Sequence, residues 1–261
     1  MTSPLPCLTP DWPGLPANVG ALATVRAGGV SQGPYGDGQG GGGLNLGTHV
    51  GDDPAHVAAN RARLAAMLPS APAWLSQVHG VAVADAGKLD GCVPDADASI
   101  ATQAGAVCVV MTADCLPVLF CSTDGLVVGA AHAGWRGLAN GVLRRTVDSM
   151  RAQGATEILA WLGPAIGPQQ FEVGQDVLQA FRDGARDAVE RQVLSAAFVA
   201  IAGKPGKYLA DIYALARTML LRDGVAQVAG GEYCTVSDAA QFYSYRRDGV
   251  TGRQASLIWR K

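Results

Sequence analysis

Val107-Cys108-Val109-Val110-Met111-Thr112-Ala113-Asp114-Cys115-Leu116-Pro117-Val118-Leu119-Phe120-Cys121 is an apolar run broken once, at Ala113-Asp114-Cys115. Each half, residues 107–112 and 116–121, has the length of a strand and is too short for a helix. A third apolar run follows at residues 126–131, after the turn signal Asp124-Gly125. The last two runs are predicted to form a β-hairpin. In that register the start of one strand lies beside the end of the other, so Cys115 and His132 come together. Hairpins of this kind argue against an all-parallel sheet.

Outward from this centre, strands and helices mix along the whole chain. Residues 21–26, 73–78, 81–84, 156–162, 225–229 and 255–259 read as strands. Asp53-Pro54 is an N-cap and N1 pair opening a helix to about residue 68, with Val57, Leu64 and Leu68 inward. Residues 137–153, 174–181 and 209–222 read as further helices, the first closing at Gly154. No linker-like shift in composition interrupts them. The prediction is one mixed α/β (α+β) domain over residues 1–261, with a largely antiparallel sheet core flanked by helices. Residues 1–18 form an N-terminal extension. Residues 36–43, rich in glycine, read as a flexible insertion. A phosphate cradle is the competing reading there, but no Lys-Ser/Thr and no helix start follows.

Composition narrows the function classes. In 261 residues, 49% are hydrophobic and 16% charged, which supports a substantial core and no extended disorder. A net charge of −2 gives no electrostatic basis for nucleic-acid binding. No apolar run is long enough to span a membrane. The N-terminus has no signal-peptide pattern, so a cytoplasmic protein with reduced thiols is expected. Among the six cysteines no CxxC pair occurs. Cys108 and Cys121 lie inside apolar runs as small core residues. The sequence sets no oligomeric state.

Three residues stand where apolar stretches give way to Gly or Pro: His79 in Gln77-Val78-His79-Gly80, Cys115, and His132 in Ala131-His132-Ala133-Gly134-Trp135-Arg136. One thiol and two imidazoles suit a catalytic Zn²⁺ with an open fourth position. The same His₂Cys set suits a single copper, although no axial Met accompanies the motifs. A metal-free alternative has Cys115 as thiolate nucleophile and His132 as its base. Asp114 either orients a histidine or braces the turn. Arg136, near a helix start, offers a bidentate donor to phosphate or carboxylate, unless it is a surface arginine. His49, in a polar loop, either reaches substrate or braces the loop. Tyr243 and Tyr245 are expected to close the core, and Arg246 is left open as a ligand-binding residue.

Residues 26–36, 44–53, 77–80, 113–120, 131–138, 163–174 and 242–259 together resemble the laccase-domain family. That family is also called the multicopper polyphenol oxidase or peptidoglycan-editing-factor family. The resemblance implies a mixed α/β fold similar to the bacterial toxin cysteine-hydrolase fold, with metal ligands at His79, Cys115 and His132. Residues 36–43 interrupt a pattern in which Tyr35 is closely followed by Leu44-Asn45-Leu46-Gly47. The implied activity is zinc-dependent phosphorolysis of adenosine, inosine, guanosine and methylthioadenosine, with adenosine deamination. Phosphate would be the anionic co-substrate, and Arg136 its candidate clamp. Other implied activities are amide hydrolysis on a UDP-muramyl-amino acid and copper-dependent polyphenol oxidation; a non-catalytic metal-binding module is the remaining alternative. A trinuclear copper centre is excluded, because the chain has four histidines.

Overall fold

The structure is a computed structural model that describes residues 5–261. In chain order the strands are β1 (Cys7–Leu8), β2 (Val19–Thr24), β3 (Ala27–Ser31), β4 (Pro72–Ala73), β5 (Val83–Asp85), β6 (Ala98–Ala101), β7 (Val107–Thr112), β8 (Leu116–Ser122), β9 (Val128–Ala133), β10 (Ile158–Leu162), β11 (Glu172–Gly174), β12 (Phe198–Ala200), β13 (Lys207–Ala210), β14 (Gln227–Gly230) and β15 (Gln254–Arg260). The α-helices are α1 (Pro54–Ala65), α2 (Trp135–Ala139), α3 (Val142–Ala152), α4 (Gln175–Asp183), α5 (Ala188–Ala196), α6 (Ile212–Arg222) and α7 (Tyr245–Asp248).

Two sheets carry the fold, in strand orders β1-β2-β15-β7-β4 and β14-β10-β8-β9-β6-β5. The parallel pairings fall on β4, β5 and β14, each at a sheet edge. The interiors are antiparallel, as the hairpin reading requires. A small third sheet has the order β11-β13-β12.

Side-chain alternation explains why the central runs look continuously apolar. In β7, Cys108 and Val110 pack between the two sheets, whereas Val107, Val109 and Met111 pack outward with Leu44, Leu46 and Leu64 of α1. In β8, Leu119 and Cys121 point between the sheets, whereas Leu116, Val118 and Phe120 face α3, α4 and α6 through Leu143, Phe181 and Leu215. The result is four layers: α1, sheet, sheet, helices. Their central strands, β6 to β10, are buried on both faces. Cys108 and Cys121 are core residues, and burial pushes each thiol up to about 12.

Several predicted elements differ in extent. The helix expected over residues 137–153 is two, α2 and α3, because Gly141 sits at φ +92° and breaks the ladder. Residues 207–210 join a sheet, and the following helix starts only after Asp211, whose carboxylate accepts the Ala214 N–H. Residues 74–80 are mostly loop rather than strand. Asp53 caps α1 as predicted, accepting the Ala55 N–H. The N-terminal extension, described from residue 5, is joined to the first sheet by β1. The 36–43 segment is held by hydrogen bonds. Asp37 Oδ1 accepts from the backbone of Gln39 and Gly41, Gly42 O accepts from Gly29, and Arg26 Nε donates to Gly36 O.

Candidate metal centre

The β8–β9 hairpin pairs Leu116 with Ala133 and Pro117 with His132, which sets Cys115 beside the end of β9. His132 shares its strand face with Val128 and Ala130, the face between the two sheets. It therefore projects into the open end of the sandwich. His79 arrives on the loop before β5, at φ +60°. The ligand atoms of His79, Cys115 and His132 all lie within 4.8 Å of one another, and Cys115 Sγ is 3.8 Å from His79 Nε2. Tetrahedral Zn–S and Zn–N bonds of roughly 2.3 and 2.0 Å imply ligand–ligand separations of about 3.3–3.5 Å. A small contraction suffices to close the set.

Asp97 holds this arrangement, and the sequence reading missed it. Its carboxylate is fully buried and accepts from His132 Nδ1 at 2.8 Å. It also accepts three successive backbone N–H groups, of Val78 (3.2 Å), His79 (2.9 Å) and Gly80 (2.6 Å). One carboxylate thus fixes the tautomer of His132 and the strained backbone that presents His79. Although burial opposes its ionisation, the His132 and backbone hydrogen bonds bring Asp97 below the usual carboxylate range. Of the two readings of Asp114, the structure bears out the bracing one, and it orients no histidine. Its oxygens accept from Thr235 Oγ1 (2.6 Å) and the Arg246 N–H (2.7 Å), bracing the turn at φ +92°.

Without metal, the ligands form an ion pair. Burial alone pushes the Cys115 thiol up, but the imidazolium of His132 and the His79 ring outweigh it and bring the thiol down to about 6. Burial likewise disfavours the His132 imidazolium, yet the Cys115 thiolate and Asp97 raise it to about 9. Gly134 keeps the space open. A Cβ there would stand 2.9 Å from His79 Cδ2 and 3.0 Å from Cys115 Sγ. Two imidazoles, an ionised thiol, a carboxylate behind one imidazole and a glycine in the rim fit a zinc-type divalent cation.

Two chambers meet at this cluster, and His79, Ala113, Cys115 and Tyr245 belong to the walls of both. The first, of about 270 Å³, adds His49, Gln77, Met111, Thr112, His132 and Arg253. The second, of about 340 Å³, adds Asp114, Trp135, Arg136, Ile166, Phe171, Ile212 and Arg246. Arg136 lies over the Trp135 ring at 4.4 Å, and Arg246 Nη1 donates to Glu172 O at 3.0 Å. The sequence-predicted residues therefore fall on opposite sides, His49 in the first chamber and Arg136 and Arg246 in the second. Tyr243 closes the core as expected and is fully buried, but Tyr245 is 61% exposed and lines both chambers. Trp135, Phe171 and Arg253 were not predicted as site residues.

The family described as multi-copper polyphenol oxidoreductase laccase matches residues 20–261. The chain belongs to this family. Among relatives of this laccase family, a purine nucleoside phosphorylase of Pseudomonas aeruginosa is 54% identical, with 97% of each chain covered. The purine nucleoside phosphorylase YfiH of Escherichia coli is 52% identical over 97% of this chain and 98% of its own. The crystal structure of a Neisseria meningitidis protein superposes with a TM-score of 0.87 at 50% identity, covering 98% of this chain and 99% of that one. YlmD of Geobacillus stearothermophilus follows with a TM-score of 0.83 at 32% identity, covering 98% and 96%. The mixed α/β fold expected from the resemblance is thereby shared with solved members of the family.

Proposed function

We propose that this laccase-family chain is a zinc-dependent purine nucleoside phosphorylase that also deaminates adenosine. The observation that carries the reading is the His79–Cys115–His132 cluster, facing two chambers whose combined linings supply aromatic rings and cationic groups. Relatives named purine nucleoside phosphorylase, at 44–54% identity over nearly their full length, support the substrate class.

When bound by these three side chains, zinc supplies Lewis acidity and lowers the pKa of water toward neutrality. The chain's own residues do the rest. Asp97 keeps His132 in one tautomer and holds the Val78–Gly80 backbone in place. Trp135, Phe171 and Tyr245 offer rings to a flat purine. Arg136 and Arg246 present donors on the same side, and His49 presents an imidazole on the other. No helix of the described residues is long and apolar enough to cross a membrane.

The test is a nucleoside panel of adenosine, inosine, guanosine and methylthioadenosine, incubated with phosphate and zinc-loaded, chelated or Cys115→Ser protein. We expect ribose 1-phosphates and free bases, and inosine from adenosine, from the zinc-loaded protein alone. Full activity after chelation would remove zinc from the reading and leave Cys115 as nucleophile. No turnover of any nucleoside would refute the reading, and turnover of a muramyl amide or a phenol instead would assign the site to hydrolysis or to oxidation.

A further inference from the structure

Hydrogen bonds tie the main chain around His79 to one of the two sheets only. The Ser76 N–H donates to Pro94 O at 3.0 Å, and Ser76 O accepts the Ala96 N–H at 3.1 Å. The N–H groups of Val78, His79 and Gly80 go to Asp97. Residues 94–97 run directly into β6, which pairs with β9. All of these bonds therefore hold His79 to the sheet that carries His132. Cys115 follows from the other sheet, at the end of the short run Thr112-Ala113-Asp114 that leaves β7.

One side chain crosses to that other sheet. Gln77 Nε2 donates to Met111 O at 2.8 Å, and Gln77 Oε1 accepts the Met111 N–H at 2.8 Å. Among the described residues, these are the only hydrogen bonds from residues 76–80 to the β7 sheet. They fall where β7 lacks a neighbour. β4 pairs with Val107 and Cys108, and the chain then turns away as the Trp74 N–H bonds to Pro72 O. Met111 is left at an open strand edge, and the Gln77 amide completes it as the peptide group of a further strand would. A carboxamide offers the acceptor and the donor that a peptide group needs. A carboxylate would set a second acceptor against Met111 O.

The position of this pair gives it a consequence beyond closing an edge. Gln77 stands two residues before His79, and Met111 four residues before Cys115. The turn between Met111 and Cys115 is itself braced, because Asp114 accepts from Thr235 Oγ1 and the Arg246 N–H. Through Gln77, the His79 loop is thus joined to the frame of Cys115, whose Sγ lies 3.8 Å from His79 Nε2.

We propose that Gln77 is a positioning residue of the metal centre. It sets the spacing of His79 and Cys115, as Asp97 sets that of His79 and His132. Without Gln77 the first spacing is left to the packing of the two sheets. The metal role rests on the zinc reading above; the tie between the His79 loop and β7 does not.

The experiment compares wild type with Gln77→Met and Tyr243→Phe. Gln77→Met keeps the length of the side chain and removes both hydrogen bonds. Tyr243→Phe also removes a buried hydrogen bond, from its hydroxyl to Tyr35 O, but away from the centre. Zinc affinity should fall by about tenfold or more in Gln77→Met, as is typical when a group that orients a ligand is lost. It should stay at the wild-type value in Tyr243→Phe. In cobalt-substituted protein at saturating metal, the charge-transfer band of the Cys115 thiolate should shift or weaken in Gln77→Met alone, which a loss of stability by itself does not cause. In crystals of the metal-free proteins, the separation of Cys115 Sγ and His79 Nε2 should widen from 3.8 Å in Gln77→Met alone. Gln77→Asn, whose amide is one methylene short of Met111, takes the place of Gln77→Met if that variant folds poorly. Wild-type zinc affinity with a wild-type cobalt spectrum overturns the proposal, as does a metal-free separation that does not widen, or an equal effect in Tyr243→Phe. A wild type that binds neither metal, with the separation still widening in Gln77→Met, refutes the zinc reading and leaves the tie standing.

Discussion

Replacing Asp97 by asparagine keeps the side chain's size and removes its charge. In the native chain Oδ1 accepts from His132 Nδ1 and the His79 N–H, and Oδ2 accepts from the Val78 and Gly80 N–H groups. However the amide turns, its NH₂ faces two of these donors. Two hydrogen bonds to a buried carboxylate are lost, at about 1.5–3 kcal/mol each, for a total of about 3–6 kcal/mol. For a chain of this size, that corresponds to a melting temperature lower by roughly 6–24 °C. The loss falls on the elements that present His79 and His132, so zinc affinity should drop as well, by about 10–100-fold. Differential scanning calorimetry of metal-free Asp97→Asn, with competitive zinc titration against a chelating dye, measures both quantities. An unchanged melting temperature together with wild-type zinc affinity would refute the claim that this carboxylate organises the centre.

Two further outcomes follow from the geometry. Gly134→Ala places a methyl about 3 Å from both His79 and Cys115, so stoichiometric zinc by elemental analysis should be lost while far-UV circular dichroism stays native. In metal-free protein, the ultraviolet thiolate absorbance of Cys115 should titrate with a midpoint near 6. The His132 imidazolium favours the thiolate, so His132→Asn leaves burial less opposed, and the midpoint should move up toward or past the ordinary thiol value; a midpoint that does not rise refutes the ion pair.

Much of the centre was legible because its information is local. The apolar halves around Ala113-Asp114-Cys115 and the Asp124-Gly125 turn sufficed to bring Cys115 to His132, and the observed ladder has that register. Cys108 and Cys121 read as core thiols from their neighbours, and both are fully buried. Asp97 was invisible for the opposite reason. It lies 35 residues from His132, before a strand whose pairing with β9 no periodicity specifies. Asp114, adjacent to Cys115, drew the role that Asp97 holds as one of two readings; its side chain turns toward Thr235, 121 residues away, and braces the turn, as the other reading had it. Tyr243 and Tyr245 were expected to behave alike, but Ser244 caps α7 between them, accepting the Arg247 N–H, and sends one inward and the other to the chambers. Arg253 gave no signal, because its place in a chamber wall beside Cys115 is set only by the fold.

The three candidate ligands, His79, Cys115 and His132, do not share one kind of support. His132 lies on β9, flanked by paired strands on both sides, and Cys115 ends the turn directly before β8, a turn braced through Asp114. His79 rides on a loop whose backbone, at φ +60°, is latched by one carboxylate. The consequence is kinetic. For an ion held by these side chains, opening of that latch would be the local event, far smaller than unfolding, that lets it in or out. The sheet end that carries Cys115 and His132 would then be the standing anchor, and the His79 loop the hasp.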